Sequence, residues 1–123
     1  MPLVKTLQVI RTYDGMIRPP GPKMVACLCP DHGWFARINT DGWRAGSVPL
    51  SAKLHPFLRH DSHIECGAVF EMDDYVVQQA LDDRGILGSI DATLVGQITA
   101  AIVKCKTLRE NDRRAILDAL AAL

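Results

Sequence analysis

The stretch that most restricts the fold lies at residues 24–39, which read MVACLCPDHGWFARIN. MVACLC is a wholly apolar run of strand length, and it predicts a buried strand. PDHG follows as a turn signal, because proline and glycine set the backbone angles and aspartate accepts hydrogen bonds from neighbouring amides. WFARIN then predicts a returning strand. Residues 24–39 are therefore predicted to form a β-hairpin.

Proline and glycine mark the segments around this hairpin. RPPGPK at 18–23 predicts a loop that separates a leading segment from the core, since such a run suits neither a helix nor a central strand. Residues 40–56 contain further proline and glycine breaks and predict an extended loop. SHIEC at 62–66 and AVFEM at 68–72 are strand-like, with Gly67 between them as a bulge or turn.

The second half of the chain predicts helices. Residues 73–85 read as a strand running into a short helix that ends at Gly85. Asp91 is a good N-cap for the next helix, and Thr107 with Glu110 forms a T-x-x-E capping box for a last one. The apolar residues of these two helices recur at helical spacing: Leu94, Ile98, Ile102 and Cys105 in the first, Ile116, Leu117, Leu120 and Leu123 in the second.

Strands followed by helices predict an α+β fold that is mainly β, or a small barrel with C-terminal amphipathic helices packed on it. The 123 residues fit a single domain, 1–123. We divide it into a leading segment (1–23), a barrel (24–84) and a helical tail (85–123). The apolar faces of the tail pack either on the chain's own barrel or at the seam of a dimer, for which Leu120 and Leu123 are suited.

Charge and hydropathy limit the classes of function. Fourteen basic residues balance fourteen acidic ones, which argues against the broad basic surface of a tight nucleic-acid binder but allows a small basic patch. No apolar run of membrane-spanning length occurs, and the first residues lack the pattern of a signal peptide. These features predict a cytoplasmic protein with no membrane contact, whose four cysteines are thiols.

The stretch LRHDSHIEC at 58–66 concentrates reactive side chains. In a strand, Ser62, Ile64 and Cys66 share one face that suits a core, while Asp61, His63 and Glu65 share the other, towards solvent or a groove. A catalytic triad needs its serine beside its histidine. Ser62 and His63 point to opposite faces, so these residues alone do not predict a hydrolase.

Metal chemistry is the next alternative. Cys27, Cys29 and His32, completed by His63 or Cys66, would supply zinc ligands, but the spacing departs from the common C-x2–4-C pattern. Cys27 and Cys29 are predicted on one face of an apolar strand, where cysteine acts as a small hydrophobic residue. We therefore predict no metal and no cofactor, and a zinc-stapled domain stays as an open alternative.

Arginines and histidines surround the hairpin and the strand that follows it. A shallow groove containing them would bind RNA phosphate, and such groups stabilise phosphoryl charge or move a 2′-hydroxyl proton. The alternative is that they are scattered, solvated side chains. The residues concerned are Arg37, Arg44, Arg59, His32, His60 and His63.

The order of these pieces resembles the PemK/MazF-like toxin family. The resemblance covers about residues 24–106, through MVACLC, WFARINT, FLRHDSHIEC and GILGSIDATLVGQITAAIVKCKTL. It implies a small SH3-like β-barrel, a homodimer, and a metal-independent endoribonuclease that cuts single-stranded messenger RNA and is neutralised by the disordered tail of an antitoxin.

The family pattern is only partly present at the site it implies. A strand ending in Ser-x-x-x-Cys is followed in active members by Arg-Thr-x-Asp. With Cys66 as the anchor, the aspartate falls on Asp73, whereas Phe70 and Glu71 stand where the catalytic arginine and the threonine belong. MIRPPGPK also replaces the family's Gly-Asp-Ile-Val strand start.

The sequence therefore predicts a barrel of this type that acts as a binding or toxin–antitoxin-related module with lost or weakened ribonuclease activity. Its partners would be single-stranded RNA, an antitoxin peptide and a second copy of the chain. The alternative is a divergent endoribonuclease. Its catalytic residues would be Asp73, His63 and Arg37, and its RNA-binding residues would be Arg59, His60 and Arg44.

Overall fold

The computed structural model describes residues 2–123, and that range forms seven strands and three α-helices. The predicted α+β class, mainly β with C-terminal helices, is confirmed. The strands are β1 Gln8–Asp14, β2 Gly21–Cys29, β3 Trp34–Asn39, β4 Ser47–Leu50, β5 Ser62–Glu65, β6 Phe70–Glu71 and β7 Gly88–Ser89. The helices are α1 Asp74–Asp83, α2 Val95–Lys104 and α3 Glu110–Ala121.

All the strands belong to one curled antiparallel sheet that forms a half-barrel. Its order is β4-β5-β3-β2-β1-β7, and β6 pairs with the first residues of β3. β3 therefore lies near the middle of the sheet, with partners on both sides. The concave face is the inside of the half-barrel, and the convex face is its outside.

The predicted hairpin is confirmed as β2 and β3. Pro30–His32 forms one turn of 3-10 helix, and Gly33 follows with φ of 67°, a left-handed conformation in which glycine is favoured. A β-bulge lies between Cys27 and Cys29. Because a bulge adds one residue to a strand, Cys27 points outwards and Cys29 inwards, so the prediction that they share a face is wrong.

The predicted loop at 18–23 is wrong for its second half. Residues 21–23 belong to β2 and pair with β1, which the leading segment supplies. Pro22 is tolerated because the pairing of β2 with β3 begins only at Val25, so this end of β2 has β1 as its single neighbour. The sheet therefore extends on both sides of the range 24–84 that the sequence assigned to a barrel.

Two apolar clusters stabilise the sheet, one on each face. The interior core fills the half-barrel and is covered by α2 and α3; the outer core lies under α1. The interior core includes Val9, Ala26, Ala36, Ile38, Ile64, Ile98, Ile102, Ile116 and Leu120. The outer core comprises Val4, Ile10, Val25, Cys27, Phe35, Val77 and Ala80.

Two of the three helix ends that the sequence predicted are confirmed. α1 ends before Gly85, which is left-handed at φ 69°, and the Asp91 side chain accepts a hydrogen bond from the Thr93 amide ahead of α2. No strand precedes α1 within residues 73–85. The predicted capping box of α3 is wrong: its N-cap is Arg109, and no side chain caps its amides.

Arg113 joins α3 to the end of α2. Its Nη1 donates hydrogen bonds to the carbonyl oxygens of Ile102 and Cys105 at 2.6 and 2.7 Å. These carbonyls belong to the last turn of α2 and its C-cap, where acceptors lack partners within the helix.

One of the two residues suited to a dimer seam is buried. Leu120 is 2% exposed and packs in the interior core, whereas Leu123 is 61% exposed and remains on the surface.

A buried histidine fastens the long loop between β4 and β5 to the start of α2. The His55 ring is fully buried, its Nδ1 lies 2.8 Å from the Ser51 carbonyl oxygen, and the Asp91 amide donates to its Nε2 at 3.0 Å. A carbonyl only accepts and an amide only donates. These two partners therefore assign the ring as neutral, with its proton on Nδ1.

We expect His55→Ala to lower the free energy of unfolding by about 3 kcal/mol, because it leaves a cavity and removes the partners of two backbone groups. Urea denaturation followed by circular dichroism measures this. The matched control is His60→Ala, since His60 is exposed and its loss should change stability by less than about 0.5 kcal/mol. Equal stability of the two variants would contradict the role assigned to His55.

Candidate functional site

The predicted faces of residues 62–66 are confirmed, whereas Asp61 lies before β5 and accepts a hydrogen bond from the Ala52 amide. Ser62, Ile64 and Cys66 are buried towards the half-barrel, and His63 and Glu65 point to the convex face. Residues on the convex face were predicted to meet either solvent or a groove. Glu65 is only 6% exposed, so it lies in a groove. Its position makes Glu65 part of a cleft.

We call this groove the cationic cleft. It is a cavity of about 540 Å³ on the convex face, lined by strand residues and by the loops after β1 and β3. Four cations line it against a single carboxylate. The charged and hydrogen-bonding residues of the lining are Arg18, Lys23, Arg37, Arg44, Asn39 and Glu65.

Arg37 stands at the centre of the cleft and is held from two sides. Its Nε donates to Asp14 Oδ2 at 2.6 Å, and its guanidinium carbon lies 4.4 Å from the centre of the Phe70 ring. The side chain is 18% exposed, and no hydrogen bond within residues 2–123 holds its two terminal nitrogens. Arg37 is therefore fixed in position while its outer donors stay open to a ligand.

Glu65 is satisfied inside the cleft. Asn39 Nδ2 donates to its Oε1 at 2.7 Å, and Arg44 Nε lies 3.7 Å from the same oxygen. A buried carboxylate requires such partners, since transfer out of water penalises an unpaired charge. The sequence predicted that Arg37 and Asn39 share a face of β3. The pairing of β3 with β5, which brings Glu65 beside them, was not visible in the sequence.

The pKa values of two residues at the cleft are shifted by burial and by neighbouring charges. Burial and the neighbouring charge of Arg44 lower the pKa of Lys23, against the opposing effect of Asp14 and Glu65. Burial would raise the pKa of Asp14. Hydrogen bonds from Arg37 and the Met16 amide, with the charges of Arg37 and Lys23, outweigh burial and lower that pKa. The cleft keeps an excess of positive charge that an anion would neutralise.

Although the chain has no net charge, its acidic and basic side chains cluster in different places. Residues 71–83 contain five carboxylates and no lysine or arginine, and they include α1. The cations of the cleft lie on the same face of the sheet as α1.

Trp43 lies next to a cation of the cleft. It is 74% exposed, and the Arg44 guanidinium carbon lies 4.5 Å from the centre of its ring.

The predicted catalytic residues occupy different parts of the convex side. Asp73 follows Met72, whose amide bonds the Gly33 carbonyl, whereas His63 pairs with Asn39. At about 3.3 Å per residue, the six steps from Gly33 to Asn39 separate these ends by about 20 Å. Arg37 is two residues from Asn39. The fold therefore places His63 closer to Arg37 than Asp73 is, and it separates Asp73 from His63.

His63 is itself covered. Its Nδ1 lies 3.3 Å from the Thr40 carbonyl oxygen, and a side chain at Gly42 would overlap its ring. The loop at 40–46 therefore lies over His63 and takes up one ring nitrogen. This contact fixes the ring and occupies Nδ1. General acid–base catalysis needs a ring nitrogen that lies within hydrogen-bond reach of the substrate.

The predicted RNA-binding residues are divided between two places. Arg44 lines the cationic cleft, whereas Arg59 and His60 line a separate cavity at the open end of the half-barrel. His60 Nδ1 lies 3.0 Å from the Asp61 carbonyl oxygen, an acceptor, so that nitrogen carries the proton. Ser62 Oγ, 3.4 Å from the same nitrogen, therefore has no base there.

The four cysteines are buried free thiols. Burial raises the pKa of Cys27 and of Cys66 to about 12, and it also raises that of Cys29. A thiol needs a lowered pKa to act as a nucleophile near neutral pH. Over residues 2–123, no three histidine, cysteine or acidic side chains are arranged to hold a metal ion, and no helix is long and apolar enough to cross a membrane.

We expect Asp14→Asn to lower the free energy of unfolding by about 1.5 kcal/mol near neutral pH, since it weakens the charged hydrogen bond to Arg37. The native pKa of Asp14 lies below the unfolded value of about 3.9, so its contribution is complete above that pH and is lost as pH falls through the native pKa. Urea denaturation across this range should therefore show the wild type and the variant converging in acid.

The matched control for this measurement is Asp41→Asn, because Asp41 is exposed on the loop after β3. It should leave stability nearly unchanged at every pH. A loss in Asp14→Asn that stays constant from neutral to acid pH would contradict the assignment of an ionised Asp14 paired with Arg37.

Comparison with known proteins adds no family to this description. A scan against models of protein families gives no match to the chain, and a search of curated proteins gives no significant match. The arrangement of the cationic cleft is therefore the basis on which a function is proposed.

Proposed function

We propose that this chain is a single-stranded RNA-binding module, of the toxin–antitoxin-related kind, which holds the RNA backbone in the cationic cleft without cutting it. The observation that carries the proposal is the gathering of Arg18, Lys23, Arg37 and Arg44 around one cavity. With Glu65 in the lining and Asp14 on Arg37, the site keeps two more cations than carboxylates.

Phosphate recognition follows from the donors that these residues present. Guanidinium groups bind phosphate oxygens through paired N–H donors, and the terminal nitrogens of Arg37 are open for this contact. A phosphate in the cleft would also balance the positive charge of Arg44 and Arg37, which adds to the effect of burial in lowering the pKa of Lys23. The backbone contacts are independent of sequence, so affinity should depend strongly on salt.

Trp43 favours a single strand over a duplex. An exposed aromatic ring beside a basic groove is the usual means of stacking an unpaired base. The ring is exposed and already carries Arg44 on one side, which leaves its other face open. Bases of a duplex are stacked on each other and do not reach such a ring.

Binding without cleavage is favoured by the separation of acid–base groups. Asp73 lies about 20 Å along the sheet from His63. Within the cleft, Glu65 is bonded to Asn39 and neighboured by Arg44. A general base must reach the proton that it removes.

One observation favours the alternative, a divergent metal-independent endoribonuclease. Phe70 occupies the position at which the resembling family has its catalytic arginine, and the guanidinium of Arg37 lies directly over the Phe70 ring. Arg37 would then supply the phosphate clamp from a neighbouring strand. In this alternative Glu65, on the same face as His63, is the carboxylate that could act as base.

The proposed partner, apart from RNA, is a short acidic segment of an antitoxin that occupies the same cleft in the cytoplasm. Carboxylates and phosphates compete for the same guanidinium donors. A cleft with excess positive charge would accept either ligand, but not both together.

We expect fluorescence anisotropy to detect binding of a labelled single-stranded RNA at low salt, with much weaker binding of the same sequence as a duplex. Arg44→Ala should weaken binding about tenfold and reduce the salt dependence by about 0.7 in log–log slope, the loss of one phosphate contact. Arg44 is exposed, so its removal should not unfold the chain.

The matched control is Arg109→Ala, which removes one exposed arginine at the start of α3, away from the cleft. It should bind RNA as the wild type does. Equal weakening in the two variants would mean that general charge, and not the cleft, attracts the RNA.

The same RNA, analysed on a denaturing gel after prolonged incubation, separates the two functions. The proposal predicts intact RNA and normal growth of cells in which the protein is induced. Site-specific cleavage that disappears in Glu65→Gln or His63→Ala would contradict the binding-only function and support the endoribonuclease.

A further inference from the structure

A second cavity, which we call the barrel mouth, opens on the concave side of the sheet. It has a volume of about 480 Å³. Arg11 of β1 and Met24 of β2 pair across the sheet. Each lies two residues from an interior residue of its own strand, Val9 or Ala26, so both point to the interior face. The mouths of β-barrels are common places for small ligands.

Three arginines line the barrel mouth without a matching acid. Arg11, Arg59 and Arg84 come from β1, from the loop before β5 and from the end of α1. No carboxylate lines this cavity, and across residues 2–123 none of the three forms an ion pair. Asp83 shares a neighbouring cavity with Arg11, but within the barrel mouth itself the three guanidinium groups create a positive field that attracts an anion.

His60 adds a further polar group to the same rim. Its Nδ1 proton is directed to the Asp61 carbonyl oxygen, so Nε2 is the nitrogen left for a ligand. In the neutral ring Nε2 accepts a hydrogen bond, and in the protonated ring it donates one to an anion. The polar side of the barrel mouth therefore matches a phosphate group that carries one or two charges.

The remaining wall is apolar and rigid. Phe57 meets the His55 ring edge-on at 5.7 Å between centres, and a side chain at Gly88 would overlap the Phe57 ring. Met24 and Leu87 extend the same wall. An aromatic ring fixed beside a set of arginines suits a ligand that has a planar apolar part next to its phosphate.

We propose that the barrel mouth binds the terminal phosphate monoester of a nucleotide, with the arginines on the phosphate and the base against Phe57. An inorganic anion would use the arginines alone, and a nucleoside would use the apolar wall alone. Because its residues differ from those of the cationic cleft, this site does not depend on the function proposed for that cleft.

Isothermal titration calorimetry at low ionic strength tests the site with adenosine 5′-monophosphate as the probe. We expect binding at least about tenfold tighter than that of adenosine or inorganic phosphate, since each of these lacks one half of the contacts. Arg59→Ala and Arg84→Ala should each weaken binding about tenfold or more. Both arginines are exposed, and circular dichroism should show an unchanged fold.

Two controls locate the site. Arg44→Ala removes a cation that lines the cleft, and Arg109→Ala removes one that lines neither cavity. Both variants should bind the probe as the wild type does. No binding of the monophosphate at millimolar concentration overturns the proposal. Loss of binding in Arg44→Ala but not in Arg59→Ala also overturns it, because the probe would then occupy the cleft.

A last comparison identifies the source of the phosphate. A short RNA with a 5′-phosphate and the same RNA with a 5′-hydroxyl are titrated into Arg44→Ala, in which the cleft is weakened. If Arg44→Ala binds the RNA with a 5′-phosphate more tightly, and the double variant with Arg59→Ala does not, the site binds an RNA end. Monophosphate binding without such a preference assigns it to free nucleotides.

Discussion

The pairing of β1 with β2 decides which side chains reach each face of the sheet. Six residue pairs, from Val9–Ala26 to Asp14–Gly21, fix this register. Because side chains alternate along a strand, the register turns Arg11 to the barrel mouth and Asp14 to the cationic cleft. A slip of one residue would exchange these faces. It would also expose Val9 and leave Arg37 without its carboxylate.

The local signals in the sequence predicted much of the fold. A six-residue apolar run, a Pro-Asp-His-Gly turn and a returning strand predicted the central hairpin, and Gly85 and Asp91 marked helix ends that the structure confirms. Non-local pairing was not predictable in the same way. RPPGPK looked like a loop because its proline excludes a central strand, yet the end of β2 has a neighbour on only one side.

The sequence shows the residue types of the candidate site but not how they are arranged. The residue types that surround the hairpin indicated an anion site, and Arg37 and Arg44 do line one cavity. The positions of the other residues depend on contacts between strands. Asn39 donates a hydrogen bond to Glu65, and Arg59 lines a different cavity from Arg44. Such separations depend on sheet register and curvature, which spacing along one strand does not contain.

The central claim is that single-stranded RNA lies in the cationic cleft. Nitrogen–proton correlation spectra of the labelled protein, recorded with increasing RNA, test it directly. We expect the largest shifts at the side-chain Nε–H signals of Arg37 and Arg44 and at the indole N–H of Trp43, with little change at Arg113, which is bonded to α2. Shifts confined to other surfaces, with these three signals unmoved, would contradict it.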